Sequence, residues 1–365
     1  MKITRIETFA KPNVGLLRLT DESGANGWGQ IASYEAADIV AQCLHRQVAP
    51  VALGKEVEDH EEIIEAIARR NLKFPGSYVS RATAAVDTAL YDLRAKARQM
   101  SVCELLGGKP DPIPVYGSSM SRAITPKDEA ARLVRLRDEQ GYRAFKVRVG
   151  SREGADSDAW PGRTEELIPT VRRALGDDIV IHADANSAYR PAKAVQIGTM
   201  LEEHGFGHFE EPCPYWEYEW TKTVTTTLRI AVAGGEQDNY LPAWRYMIRD
   251  HVVDIAQPDV CYVGGITRAL QVARMAEEYG LQCTPHSANH SLVTLFTMHL
   301  MRAIPNAGPF LEFSIEDQSQ YAPMYSPRLS VSEGKVAFPA DGYGWGVTVS
   351  EDWLASSTRQ VSEGS

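Results

Sequence analysis

The sequence has no paired cysteines, no nucleotide-binding glycine signature, no long apolar run and no surplus of positive charge, and each absence removes a class of function. Five cysteines (Cys43, Cys103, Cys213, Cys261 and Cys283) are dispersed, odd in number and free of any C-x-x-C pair. That usage fits reduced thiols in a cytoplasmic protein better than a disulfide scaffold, and it shows no thiol metal site. Acidic residues outnumber basic ones, 48 to 38, for a formal net charge of −10. Such a chain has no general attraction for phosphate backbones or anionic lipid, so neither nucleic acid nor membrane is an expected partner. The stretch 279–301 lacks Asp, Glu, Lys and Arg, yet it holds Gln282, Pro285, His286, Asn289 and His290. It is too polar for a membrane span and reads as a buried strand and helix. The opening MKITRIETFAKP alternates like a strand and lacks the apolar core of a signal peptide, so export is not expected.

What is present describes a folded, core-forming chain. With 365 residues, 44% hydrophobic and 24% charged, it is long enough for two domains or for one barrel with an appendage. The first part, residues 1–112, reads as strands (3–9, 15–19 and 28–30) followed by helices over 59–72 and 80–97, an α+β unit. The breaker-rich LLGGKPDPIP closes it. From 113 to 320, short apolar runs alternate with helical segments; the runs cover 113–116, 144–149, 179–183, 208–209, 230–233, 253–256, 281–284 and 310–311. Eight such strands imply parallel β/α units, most simply closed into a barrel. An open doubly wound sheet is the alternative, but no G-x-G-x-x-G follows the first strand of this region. Residues 321–365, with FPADGYGWGVTV, are β-like and are expected to return to the first domain.

At the C-terminal ends of the runs stand Asp184, Glu210, Glu236, Asp259, His286 and Glu312, separated by 26, 26, 23, 27 and 26 residues. One β/α unit is about that long, so each residue occupies an equivalent place on a successive strand and all converge on one mouth. Three carboxylates on adjacent strands repel one another unless a cation joins them, and an oxygen-only set suits Mg²⁺ better than Zn²⁺. Asp184, Glu210 and Glu236 are therefore the expected metal ligands. Glu211 is expected to point away from the mouth by strand alternation. Asp259 is placed to orient His286 as a general base. His182 shares the inward face deeper down and is read as packing, while His290 and His299 are read as structural or surface groups. Lys146 and Arg148, two apart on the second strand, form a candidate site for a substrate carboxylate, the alternative being ion pairs with the barrel acids. Asn186 is expected to orient a ligand oxygen, and Glu312 to donate a hydrogen bond if its surroundings keep it protonated.

These residues come in blocks: ALYDLRAKARQMSVCELLGGK, then KVR, DAN, EEP, GGE, QPD, PHS and LEF. Together they resemble the enolase superfamily, mandelate racemase subgroup, over nearly the whole chain. The resemblance implies an α+β capping domain over a modified (β/α)7β TIM-type barrel. It implies Mg²⁺ on Asp184, Glu210 and Glu236, the His286–Asp259 dyad as base, Glu312 near the substrate carboxylate, and a homo-oligomer. It also implies abstraction of the proton α to a carboxylate to give a metal-stabilised enediolate. Racemising members carry K-x-K on the second strand, whereas this chain has Arg148, a poor proton acceptor. One-base dehydration of an acid sugar to a 2-keto-3-deoxy acid is therefore expected, with racemisation, epimerisation or cycloisomerisation as the runner-up and an idle binding relative as the third reading. The resemblance further implies that a base on the histidine side acts on substrates of R configuration at C2, as in a gluconate-like or galactonate-like acid. Only five residues separate Phe9 from Gly15, so the subgroup's flap is short; segment 71–78, NLKFPGSY, is the expected substitute.

Overall fold

The computed structural model describes residues 1–32, 34–340 and 342–364, so Asp341 of the FPADGYGWGVTV stretch lies outside the described residues. Strands β1 (Ile3–Lys11), β2 (Val14–Asp21) and β3 (Asn26–Ala32) form an antiparallel meander. Inward residues such as Ile6, Leu17, Leu19 and Ile31 are wholly buried. The last strand, Thr358–Glu363, pairs antiparallel with β1, so the chain end completes the capping sheet.

Across this sheet lies the 21-residue helix Ser77–Ala97. The alanines at 82, 84, 85 and 89 keep its packing face low. On the strand side, a Cβ at Gly27 or Gly29 would overlap the carbonyl oxygens of Ala89 and Ala85, so glycine is what lets β3 approach the helix backbone. The second helix, His60–Arg70, buries Ile63, Ile64 and Ile67 at helical spacing.

The second domain has eight parallel strands: β4 (Ile113–Ser118), β5 (Ala144–Arg148), β6 (Val180–Asp184), β7 (His208–Glu210), β8 (Ala231–Gly234), β9 (Ile255–Ala256), β10 (Gln282–Cys283) and β11 (Leu311–Ser314). They pair in the order β11-β4-β5-β6-β7-β8-β9-β10. A parallel bridge between Cys283 and Ala307 brings the approach to β11 alongside β10 and closes the ring. Seven successive connections carry a helix of nine or more residues, from Pro126–Gln140 to Leu292–Met301. The architecture is a modified (β/α)7β barrel with an N-terminal α+β capping domain. Such barrels carry their chemistry at the C-terminal ends of the strands. No described helix is long and apolar enough to cross a membrane.

A buried polar knot joins the two domains. Asp87 of the long capping helix accepts from the Thr267 amide at 3.1 Å and from the Thr267 hydroxyl at 2.5 Å. It also accepts from His60 Nε2 at 2.9 Å. The Arg94 guanidinium lies 3.0 Å from the other His60 nitrogen, and having donors only, it fixes that nitrogen as the acceptor.

Candidate active site

Strand register sets the first part of the site. Arg148 is the partner of Asp184, and Asp184 of Glu210. Residues facing each other across parallel strands share a face, so the three stand side by side. Glu236 follows β8 by two residues, after Gly235, whose positive φ of 105° turns the chain.

Asp259 and His286 each stand three residues beyond their strands. Asp259 Oδ1 accepts the backbone amides of Cys261 (2.7 Å) and Tyr262 (3.0 Å), which anchors the carboxylate. Its Oδ2 lies 2.8 Å from His286 Nδ1. The other nitrogen, Nε2, is 3.2 Å from Glu236 and 3.7 Å from Glu312. Burial works against charge on His286, but Glu236, Glu312 and Asp259 outweigh it and raise its pKa to about 10.

Lys146 is fully buried, with its ammonium 2.5 Å from Glu210, 2.8 Å from Glu312 and 3.4 Å from Asp184. Arg148 is in close contact with Asp184. The ion-pair alternative thus describes both cations here, rather than a pair left free for a substrate carboxylate. Glu312 also differs from expectation. It accepts from Ser118 Oγ at 2.8 Å and from the Ser287 amide at 3.0 Å. Burial favours its neutral form, yet Lys146 and His286 prevail and hold its pKa at about 2. It is an acceptor here, not a protonated donor.

The clustering expected of Asp184, Glu210 and Glu236 is likewise not what the structure holds. Among the described residues, no three His, Cys, Asp or Glu side chains are gathered as a metal cage. Each carboxylate leans on its own cation: Arg148, Lys146 and His286 respectively. Buried anions turn to the nearest counter-charge, which explains the arrangement. The donor set nonetheless fits a hard divalent cation. It is oxygen-only and buried, two of its members are register partners, and with Glu211, Asp259 and Glu312 around it the carboxylates outnumber the cations Lys146, Arg148 and His286. Burial, reinforced by Glu210 and opposed by His286, pushes the Glu236 carboxyl upward.

Glu211 shows the same shortage and corrects the alternation argument. Its φ of 40° is left-handed, so β7 ends at Glu210 and the in-out pattern stops there. Its side chain lines the site cavity rather than pointing away. One of its oxygens is buried without a partner. Burial, then Glu236 and Glu210, push its carboxyl well above the usual range.

The cavity over the strand ends is about 610 Å³ and is lined by Arg148, Asn186, Glu236 and His286. Sequence reasoning missed several other lining residues: Arg122 in the loop after β4, the neighbours Tyr215 and Trp216, Tyr262, and Tyr34 from the capping domain. A usable signal existed for Tyr215, Trp216 and Tyr262, because they follow closely on the EEP and QPD motifs at this face. The short β1–β2 connection holds: Lys11 pairs with Val14 across a two-residue turn. Residues 71, 72, 75 and 76 line a separate cavity of about 230 Å³ against Tyr240 and Leu241, so segment 71–78 does not take the flap's place over this one. His182 stacks on His208, ring centroids 3.7 Å apart, as a packing group. His299 is buried and accepts from the Cys103 amide at 2.9 Å.

Comparison with known proteins agrees with this architecture. Residues 2–107 match the mandelate racemase / muconate lactonizing enzyme N-terminal domain, and residues 128–353 the enolase C-terminal domain-like family. The arabinonate dehydratase of Saccharolobus solfataricus is 25% identical, over 89% of this chain and 85% of its own. A chloromuconate cycloisomerase of Cupriavidus necator is also 25% identical, over 94% and 89%. A Roseobacter denitrificans crystal structure described as a candidate racemase superposes with a TM-score of 0.96 at 54% identity, covering both chains fully. A mandelate racemase/muconate lactonizing protein from Paracoccus denitrificans, complexed with magnesium, superposes at 0.90 with 28% identity, over 98% of this chain and 96% of that one. With both domains matched and the strand-end residues in register, this chain belongs to the enolase superfamily, in its mandelate racemase subgroup, and is an enzyme of that kind.

Proposed function

We propose that the protein is a Mg²⁺-dependent hydro-lyase that converts an acid sugar to its 2-keto-3-deoxy acid. The observation that carries this reading is the single proton acceptor: His286 is oriented by Asp259, while the place of a second base is taken by Arg148, a guanidinium in contact with Asp184. Asp184, Glu210 and Glu236 are the proposed ligands of Mg²⁺, which when bound supplies positive charge to the substrate carboxylate.

Glu236 is the foremost of the carboxylates that hold the imidazole protonated without metal, and with its charge taken up by Mg²⁺ that hold would be released. Asp259 keeps the Nδ1–H of His286, leaving Nε2 to take the proton from C2. The electron pair left on C2 becomes a second C1–C2 bond as the carboxylate C=O pair moves onto oxygen, giving an enediolate. The carboxylate C=O then re-forms, the C1–C2 pair shifts to make the C2–C3 double bond, and the C3–O bond breaks with its electrons leaving on the hydroxyl oxygen. The departing hydroxide takes a proton, for which protonated His286 is the proposed donor, and leaves as water. The enol acquires a proton at C3 and becomes the ketone. Lys146 and Glu312 support the base and the carboxylates from beneath the cavity, and Asn186 is the proposed contact for a substrate oxygen.

The Roseobacter neighbour's description favours a second reading, inversion at C2. The test is a screen of aldonic and aldaric acids for 2-keto product, with and without chelator. Product that persists after metal removal contradicts the proposal. In D₂O, recovery of C2-inverted, deuterated substrate without elimination favours inversion.

A further inference from the structure

One wall of the cavity is built from a guanidinium that no carboxylate neutralises. Arg122 Nε donates to the Gly150 carbonyl at 3.0 Å. Its Nη2 donates to the carbonyls of Val149 (3.4 Å) and Ala185 (3.2 Å) and to Asn186 Oδ1 (3.1 Å). None of these acceptors is charged, and Nη1 has no protein partner among the described residues. Burial, then the nearby cations Arg148 and Arg163, lower the pKa of Arg122 to about 10, so its charge is held at a cost that an anion would relieve. Glu153, on the exposed rim of the same cavity, acts on it only through space.

The contact with Asn186 adds direction. A guanidinium has donors and no acceptor, so only the amide oxygen of Asn186 can face it. The Asn186 backbone amide is bound to Asp184 Oδ1 at 2.8 Å, and its φ of 41° is left-handed. Backbone and side chain are thus both fixed, and the Asn186 NH₂ is the end left for a ligand. Arg122 and Asn186 together offer N–H donors, positive charge and no acceptor. A hydroxyl uses only half of its capacity against such a wall, whereas a carboxylate, which only accepts, matches it.

We propose that Arg122 and Asn186 form a subsite for a second carboxylate, so that the substrate is a dicarboxylic acid sugar rather than a monocarboxylic one. This rests on the acid-sugar reading above, in which the carboxylate next to the reacting carbon lies at the Glu236–His286 end of the cavity. The subsite is then a specificity determinant for the far end of the substrate.

The experiment compares acids matched in their hydroxyl configurations, gluconate with glucarate and galactonate with galactarate, on the full-length Mg²⁺-loaded protein. The expected result is a diacid-over-monoacid ratio of kcat/KM of at least roughly tenfold in one pair, and a fall in that ratio of similar size, carried by KM, in Arg122→Gln. Because the ratio is internal to each preparation, loss of folded protein does not move it. A wild type that prefers monoacids, or a ratio unaltered by Arg122→Gln, overturns the subsite while leaving dehydration intact. If no acid yields product, the dehydratase reading fails by itself. Calorimetric binding of the same acids then decides the subsite, with equal affinity for both members of each pair overturning it.

Discussion

Asp259 grips His286 with one oxygen while backbone amides hold the other, so the imidazole is oriented by a group that is itself immobile. Nδ1 donates to Asp259, leaving Nε2 toward Glu236 and the cavity. In Asp259→Asn the amide keeps the shape but loses the negative charge that supports an imidazolium. We expect kcat to fall by roughly 10²–10⁴, with a much smaller change in KM, measured by steady-state kinetics on the best acid from the screen. An equal rise in KM with kcat preserved would show that the pair acts in binding rather than in proton transfer.

The same carboxylates make metal-free protein sensitive to alkali. The pKa of His286 is raised from 6.5 to about 10 in the fold. A group raised in this way stabilises the fold fully below its unfolded value, and that contribution is lost as pH rises through the folded one. The stability difference between wild type and His286→Asn in chelator is therefore expected to be greatest below about pH 6.5 and to shrink toward pH 10. Urea unfolding of both proteins across this window checks it, and a difference that grows with pH contradicts it.

Arg148→Lys tests the one-base argument directly. The register beside Asp184 is unchanged by the substitution, but a lysine ammonium can release its proton where a guanidinium does not. The variant is expected to exchange the C2 hydrogen of the epimer that the wild type leaves untouched, read by NMR in D₂O. Wild type that already exchanges both epimers would remove the basis for one-base chemistry.

Much of this site was legible in the sequence because backbone geometry placed it. The spacing of Asp184, Glu210, Glu236, Asp259, His286 and Glu312 encodes one residue per β/α unit, and the barrel puts each near the end of its strand. What escaped depends on which side chains meet. Lys146 and Arg148 share a face, as period-two alternation requires, but their capture by Glu210, Glu312 and Asp184 follows from burial of all five together. Glu211 escaped because alternation was carried one residue past the end of β7, into a left-handed φ. Arg122 lies in a loop without periodicity, and its role depends on carbonyls from two other strand ends.

One carboxylate gathers three hydrogen bonds at the joint between capping domain and barrel. Asp87 is fully buried and serves three donors, two on Thr267 and one on His60. Asp87→Ala strands those donors in a dry interface, and we expect a loss of about 2–4 kcal/mol in unfolding free energy. Activity at low temperature should fall less than stability, since Asp87 lies outside the cavity. Denaturant titration with parallel assays checks both.

Glu211 supplies a prediction of opposite sign. Its carboxyl is raised in the fold, so wild type is favoured when this group is neutral and loses stability as pH climbs above its ordinary unfolded value of 4.5. Glu211→Gln removes the ionisation and brings an NH₂ close to Glu236 and Glu210, the two carboxylates that act on it. In chelator the variant should match wild type near pH 4 and exceed it by roughly 1 kcal/mol or more at pH 8. Added Mg²⁺ should narrow the gap at pH 8, because a divalent cation relieves the same excess of negative charge. Thermal melts at the two pH values, with and without the metal, test each part. If Glu211→Gln is less stable at pH 8 in chelator, then the Glu211 carboxylate is compensated in the fold and the shortage of positive charge inferred around Glu236 is wrong.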